Sequence, residues 1–253
     1  MKLGYWKIQG LAQPIRMIIA ANKLDVELKD YESREEWFEK DKKAMATKPF
    51  SFFPNLPYLV IKDGALAMTQ SRAILTFLGK QTKMVPQDDM EEVRLEVMYG
   101  NLDDLWKKMM KLVFLNKEDY EANKAKTLEE MIEFFKKFDN YYSKHKYTCT
   151  DRAGGISWVD FHALHIFNIV RRFSSKLAEF ENVNKFVDNL VNELGEDFKK
   201  WFDGENANRA LIPAGFSFQW AGCGVAPDLM EAESFWENAI FYFEIKNKFL
   251  NTS

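Results

Sequence analysis

The chain has 253 residues, 47% of them hydrophobic and 29% charged, the balance of a soluble globular protein rather than of a disordered one. Its formal charge of -3 gives no basic field for nucleic acid, and no apolar run is long enough to span a bilayer. Cys149 and Cys223 form neither a metal nor a redox motif, and Met1–Trp6 is no secretion signal, so a reducing, cytoplasmic setting is expected and a disulfide is not.

Residues 2–9 read as a first strand. Leu11–Asn22 reads as a helix with Ala12, Ile15, Ile18 and Ile19 on one apolar stripe, and Pro14 is tolerated near its start. Val26–Leu28 is a short second strand. Ser33 with Glu36 fits a capping box and predicts a short exposed helix, followed by an irregular stretch to Phe52. Tyr58–Ile61 reads as a strand and Ala65–Met68 as its return. Asp63-Gly64 between them is a hairpin signal, because a type I′ turn needs the positive φ that glycine adopts freely. Pro57 stands at a strand entry, where it gives up no ladder hydrogen bond; cis and trans are both open there. Gln70-Ser71 opens an apolar-periodic helix with Ala73, Ile74, Phe77 and Leu78. Its first turn, with unpaired N–H groups and partial positive charge, suits a carboxylate.

From Lys83 to Asp89 the chain is polar and carries Pro86, a linker pattern. Beyond it everything reads as helix. Met90–Leu115 carries Val93, Val97, Leu102, Leu105, Met109 and Leu112 at helical spacing, and Tyr120–Tyr142 follows. Ser157 and Asp160 form a second capping box, flanked by Ile156 and Phe161 as a hydrophobic staple. Val183–Phe202 supplies further helix. After Pro213 an aromatic loop precedes a helix from Asp228 to about Leu250, with Phe235, Trp236, Ala239, Ile240 and Phe243 on one face that must be covered. His162 and His165, i and i+3 on the central helix, have no third ligand nearby; packing or hydrogen bonding is their expected role, and no metal is expected.

Three separated motifs agree in order and spacing: Leu3 to Arg16 (LGYWKIQGLAQPIR), Phe53 to Leu59 (FPNLPYL) and Thr69 to Leu75 (TQSRAIL). With them the chain resembles the cytosolic glutathione transferases, the mu class most nearly. The resemblance implies a thioredoxin-like α+β domain over residues 1–82 (βαβ then ββα) and an all-helical domain over 90–212; residues 213–253 form a C-terminal extension. It also implies that Tyr5 donates its hydroxyl to the sulfur of glutathione, the co-substrate. A free thiol is mostly protonated at neutral pH, and a hydrogen bond to the anion favours the nucleophilic thiolate.

By the same resemblance Asn55, Leu56 and Pro57 meet the cysteinyl backbone, in the manner of an added strand. Gln70 and Ser71 hold the γ-glutamyl carboxylate, and Asp104 reaches the γ-glutamyl amine from a neighbouring subunit. Trp6 and Leu11 flank the thiol and the hydrophobic electrophile. Trp37 and a lysine, Lys42 or one of its neighbours Lys40 and Lys43, meet the glycyl carboxylate. Phe53 is the aromatic key of a homodimer. Two departures stand out: Phe114 occupies the place of a second tyrosine, and the extension has no counterpart in the family. A structural or assembly subunit that docks a protein partner through the extension, or a carrier of hydrophobic ligands, therefore stays open beside the enzyme.

Overall fold

The computed structural model of the chain describes residues 1–47, 51, 53–61, 64, 66–148, 155–206 and 209. In β1 (Lys2–Trp6), Leu3 and Tyr5 share one face and Lys2, Gly4 and Trp6 the other. The strand ends before the expected residue 9, because the chain turns toward Gly10, whose φ is +43°. A 3-10 turn (Gly10–Ala12) leads into α1 (Gln13–Ala21), with Pro14 in the first turn, where its missing N–H has no helical partner to lose. β2 (Glu27–Tyr31) continues past the short apolar pattern at 26–28, since parallel pairing with β1 carries Lys29 and Asp30 into the sheet. β3 (Tyr58–Ile61) and β4 (Leu66–Thr69) complete a sheet of order β2-β1-β3-β4, in which only β1 and β2 run parallel. Ile61 stands opposite Leu66 and Gly64 has φ +94°, as a tight hairpin requires; Asp63 lies outside the described residues.

The segment between β2 and β3 is a wide helical turn (Glu36–Asp41) followed by α2 (Lys42–Ala46). It was expected to be exposed, yet Trp37 is only 2% exposed. The cause is Gly4. The Tyr58 ring lies where a side chain at residue 4 would be, its Cζ 2.1 Å from the ideal Cβ position. Trp37 then stacks on Tyr58 with ring centroids 5.9 Å apart. Hydroxyl bonds between Tyr31 and Tyr58 (2.9 Å) and from Tyr31 to Asp41 (2.6 Å) tie this aromatic layer to the helical turn.

α1 and α3 (Ser71–Gln81) pack against each other and against the helical half. That half comprises α4 (Asp89–Val113), α5 (Lys117–Tyr142), α6 (Trp158–Val170), α7 (Ser175–Ala178), α8 (Glu181–Glu193) and α9 (Glu196–Trp201), followed by a wide turn at Phe202–Asn206. Every side chain of α6 is buried, and α1, α3, α4 and α8 all pack on it. Its start carries the predicted capping box. The Asp160 carboxylate accepts from the Ser157 N–H, the Ser157 hydroxyl and the Thr148 N–H, each at 2.7 Å. One hydrophobic core runs from Leu3 to Phe202.

Val93 and Val97 share the helical spacing of Leu102, Leu105, Met109 and Leu112 but are 52% and 60% exposed. A helix of 25 residues has room for two faces: Leu95, Tyr99, Leu102, Leu105 and Met109 take the inner one, while Met90, Val93 and Val97 line the outer at helical spacing. The aromatic helix expected after Asp228, and both cysteines, lie outside the described residues. Among the described residues no helix is long and apolar enough to cross a membrane.

Candidate functional site

Tyr5 sits near the end of β1 and is only 6% exposed. Its hydroxyl accepts a hydrogen bond from the Leu11 N–H at 3.1 Å. That bond uses an oxygen lone pair and leaves the phenolic proton to be donated. Gly10 makes the arrangement possible in two ways. Its φ is positive, and a Cβ there would come within 2.7 Å of the Tyr5 hydroxyl oxygen. Burial pushes the Tyr5 phenol up, partly offset by the Leu11 N–H and the nearby Arg16 charge. At neutral pH the group is therefore a protonated hydrogen-bond donor and not a base.

Most of the other expected site residues fall into three groups. Trp6 is half-buried, with its ring 6.1 Å from Tyr31 and 6.3 Å from Phe38, and the Lys42 ammonium lies 5.3 Å from the Phe38 ring. Trp37, expected on the glycyl carboxylate, instead sits in the aromatic layer over Gly4, behind Tyr31 and Tyr58. Along the strand entry, Asn55 is exposed and its side chain accepts from the Leu56 N–H at 2.9 Å, ahead of a cis Leu56-Pro57 bond. At the helix start, Gln70 is the exposed N-cap of α3 with φ +72°, an outlier for a residue with a side chain, and Ser71 is half-buried as the first helical residue. Arg72 pairs with Glu96 and lies 5.0 Å from the Tyr99 ring, joining this start to α4.

Leu11 (41% exposed), Phe53 (81%) and Phe114 (51%) are open to solvent. Asp104 is exposed on α4, beside Asp103, whose carboxylate pairs with Lys107 at 2.6 Å. His162 and His165 serve packing. His162 stacks on Tyr99 at 4.5 Å and His165 lies 5.2 Å from Trp106. Burial pushes their rings down to about 4 and about 3, so both are neutral at pH 7. Among the described residues no group of three or more His, Cys, Asp or Glu could hold a metal ion. An open cleft of about 570 Å³, lined by Lys2, Glu27, Lys29 and Asp41, lies on the sheet face opposite Tyr5. Its charges are paired with one another, Lys2 to Glu27 at 2.7 Å and Lys29 to Asp41 at 2.6 Å, so it makes no demand for a ligand.

Arg16 closes the Leu3 to Arg16 motif without any role that the motif itself announces. It is 2% exposed and donates to the carbonyls of Ile8 (2.6 Å) and Trp6 (3.2 Å) and to Asp30 (3.1 Å). Burial, then the neighbouring Arg209, lowers its pKa to about 10, which leaves it charged at neutral pH. The signal was available: an arginine amid the apolar run of α1 has to find an acid and carbonyls inside.

The family model described as "Glutathione S-transferase, N-terminal domain" matches residues 1–80, and "Glutathione S-transferase, C-terminal domain" matches 102–193. The chain is 32% identical over 197 residues to Glutathione S-transferase Mu 5 of Homo sapiens, covering 74% of this chain and 84% of that protein. It is 29% identical over 200 residues to a Glutathione S-transferase of Dermatophagoides pteronyssinus, with the same coverage of 74% and 84%. The fold matches the crystal structure of the glutathione S-transferase Blo t 8 with a TM-score of 0.74 at 23% identity, covering 86% of this chain and 98% of that one.

Proposed function

Since the chain belongs to the glutathione S-transferases, enzymes that take glutathione as co-substrate, we propose that Tyr5 holds the glutathione sulfur as a thiolate for attack on a hydrophobic electrophile. The observation that carries this reading is the Tyr5 hydroxyl itself: buried, protonated at neutral pH and engaged by the Leu11 N–H only as an acceptor. Donation of its proton to sulfur favours the anion in a site of low dielectric. The sulfur then forms a bond to the electrophilic carbon, and the leaving group departs with the electrons of the bond that breaks.

In this reading the α3 start binds the γ-glutamyl carboxylate through the Ser71 hydroxyl and the first-turn N–H groups, with Gln70 held at its positive φ as the cap. The cysteinyl backbone takes over the Leu56 N–H that Asn55 now satisfies, ahead of Pro57. Trp6 and Leu11 border the sulfur. Lys42, near Trp6 through Phe38, supplies charge for the glycyl carboxylate, and Trp37 supports that wall from inside. Phe114 gives the electrophile an apolar contact with no hydroxyl, at the C-terminal end of α4. Ser71→Ala is expected to weaken glutathione binding about tenfold, the roughly 1.5 kcal/mol of one hydrogen bond to a charged group. Calorimetric titration with glutathione measures this, and unchanged affinity would remove Ser71 from the site.

A two-fold homodimer goes with the same reading. The exposed Phe53 and the outer apolar face of α4 need cover, and Asp104 would then reach the γ-glutamyl amine of the partner's glutathione. Phe53→Ser is expected to weaken dimerisation by at least about 2 kcal/mol, roughly 30-fold, as for a buried aromatic anchor. Sedimentation equilibrium over a dilution series reads the constant; a dimer as tight as wild type would refute the key. A cytoplasmic location, where glutathione is kept reduced, accords with this chemistry. The assembly role weighed for the C-terminal extension has no support from the described residues, which end at Arg209.

A further inference from the structure

We propose that Arg209 is a positioning residue for the Tyr5 centre, acting through Asp30 and Arg16 to hold the loop behind the hydroxyl and to keep that loop's surroundings positive. The proposal rests on Tyr5 as the thiolate donor. It concerns a part of the chain beyond residue 193, where the family match ends.

Asp30 stands directly beside Tyr5 across the β1/β2 pairing. Its carboxylate is divided between two guanidinium groups: Oδ1 accepts from Arg16 at 3.1 Å and Oδ2 from Arg209 at 2.7 Å. Arg16 carries the effect onward. It donates to the carbonyls of Trp6 and Ile8, at the two ends of the turn that leaves β1, and its guanidinium carbon lies 5.8 Å from the centre of the Tyr5 ring. The Arg209 backbone is fixed to the same turn, its carbonyl accepting from the Gln9 side chain at 2.8 Å. Residue 209 is thus held by its backbone to the loop that presents Leu11 to the Tyr5 hydroxyl and by its side chain to Asp30 on β2.

The charges make the cluster more than a staple. Arg16 and Arg209 are 2% and 11% exposed, and Asp30 is 23% exposed, so water screens them weakly. The other charged neighbours add little. Lys7 and Glu32 form an exposed pair at 2.7 Å that cancels, and His165, which bonds the Gly10 backbone from α6, is neutral. Removing the Arg209 cation returns the whole Asp30 carboxylate to Arg16 and takes one positive charge from behind Tyr5. Removing the Asp30 anion does the reverse.

The test is a pH titration of the ultraviolet thiolate absorbance of enzyme-bound glutathione in wild type, Arg209→Gln, Arg209→Lys and Asp30→Asn. The thiol pKa is expected to rise by about half a unit to one unit in Arg209→Gln, consistent with one charge removed at partial screening. It should stay near wild type in Arg209→Lys and fall in Asp30→Asn. A purely structural loosening would move all three variants in one direction. An Arg209→Gln value equal to wild type, an Arg209→Lys value matching Arg209→Gln, or a rise in Asp30→Asn would each overturn the proposal. Should Arg209→Gln fail to fold, the sign of the Asp30→Asn shift decides. A wild-type titration with no lowered thiol pKa would instead refute the Tyr5 reading.

Discussion

Tyr5→Phe is expected to lower the rate of glutathione conjugation to an aryl halide by about ten- to a hundredfold, the roughly 1.5–3 kcal/mol of a hydrogen bond to an anion. Glutathione binding should be retained, because phenylalanine keeps the ring that fills the space beneath Gly10 and removes only the oxygen 3.1 Å from the Leu11 N–H. The loss should be greatest near neutral pH. There the free thiol is mostly protonated, and the role proposed for the tyrosine is to favour the thiolate; at high pH the thiol ionises without help and the two rates should converge. Steady-state kinetics from pH 6 to 9, with glutathione affinity measured in parallel, checks both parts. An unchanged rate at neutral pH would mean that another donor holds the sulfur.

Acidification to about pH 4.5 is expected to remove about 5 kcal/mol of folding stability through His162 and His165 alone. Both rings are buried in α6 and held neutral, with pKa values of about 4 and about 3 against an ordinary 6.5. The unfolded chain takes up a proton on each ring as the pH falls through 6.5, while the folded chain does not until far lower. Their contribution is therefore whole above pH 6.5 and drains away across the window below it, at about 1.4 kcal/mol per pH unit for each ring. His162→Phe isolates one of them. Neither His162 nitrogen has a hydrogen-bond partner among the described residues, and the ring stacks flat on Tyr99, so an apolar ring fits the same environment. Urea midpoints between pH 7 and 4.5 should fall less steeply in that variant by about one histidine's share. Identical slopes would show that His162 titrates alike in both states.

The order of strands and helices was legible because each carries its own local signal: the Asp63-Gly64 turn, Pro14 in a first turn, the Ser157/Asp160 box. The site proposed for glutathione rests on motifs that keep Tyr5, Asn55 and Gln70 in order, whereas periodicity alone reads Tyr5 as a packed aromatic. What stayed hidden depended on contacts distant in sequence. Trp37 looked exposed because its own helix is polar; it is buried because Gly4, far back in β1, admits the Tyr58 ring beneath it. Val93 and Val97 share the helical spacing of Leu102 and Leu105, but spacing does not say which of two apolar faces meets α6. The Asp30 link joins β2 to Arg209 across most of the chain, and no local pattern announces such a pair.

The placement of α6 bears on how the molecule unfolds. The two matched regions are separate in sequence, yet α1 and α3 of the first lie against α6 of the second, and Ile15, Ile18, Ile74 and Leu78 share one core with Trp158, Phe161 and Leu164. Cutting the chain at the Lys83–Asp88 connection would leave each part with a raw apolar wall where the other had been. The sheet and the bundle are therefore expected to melt as a single cooperative unit, seen as one calorimetric transition.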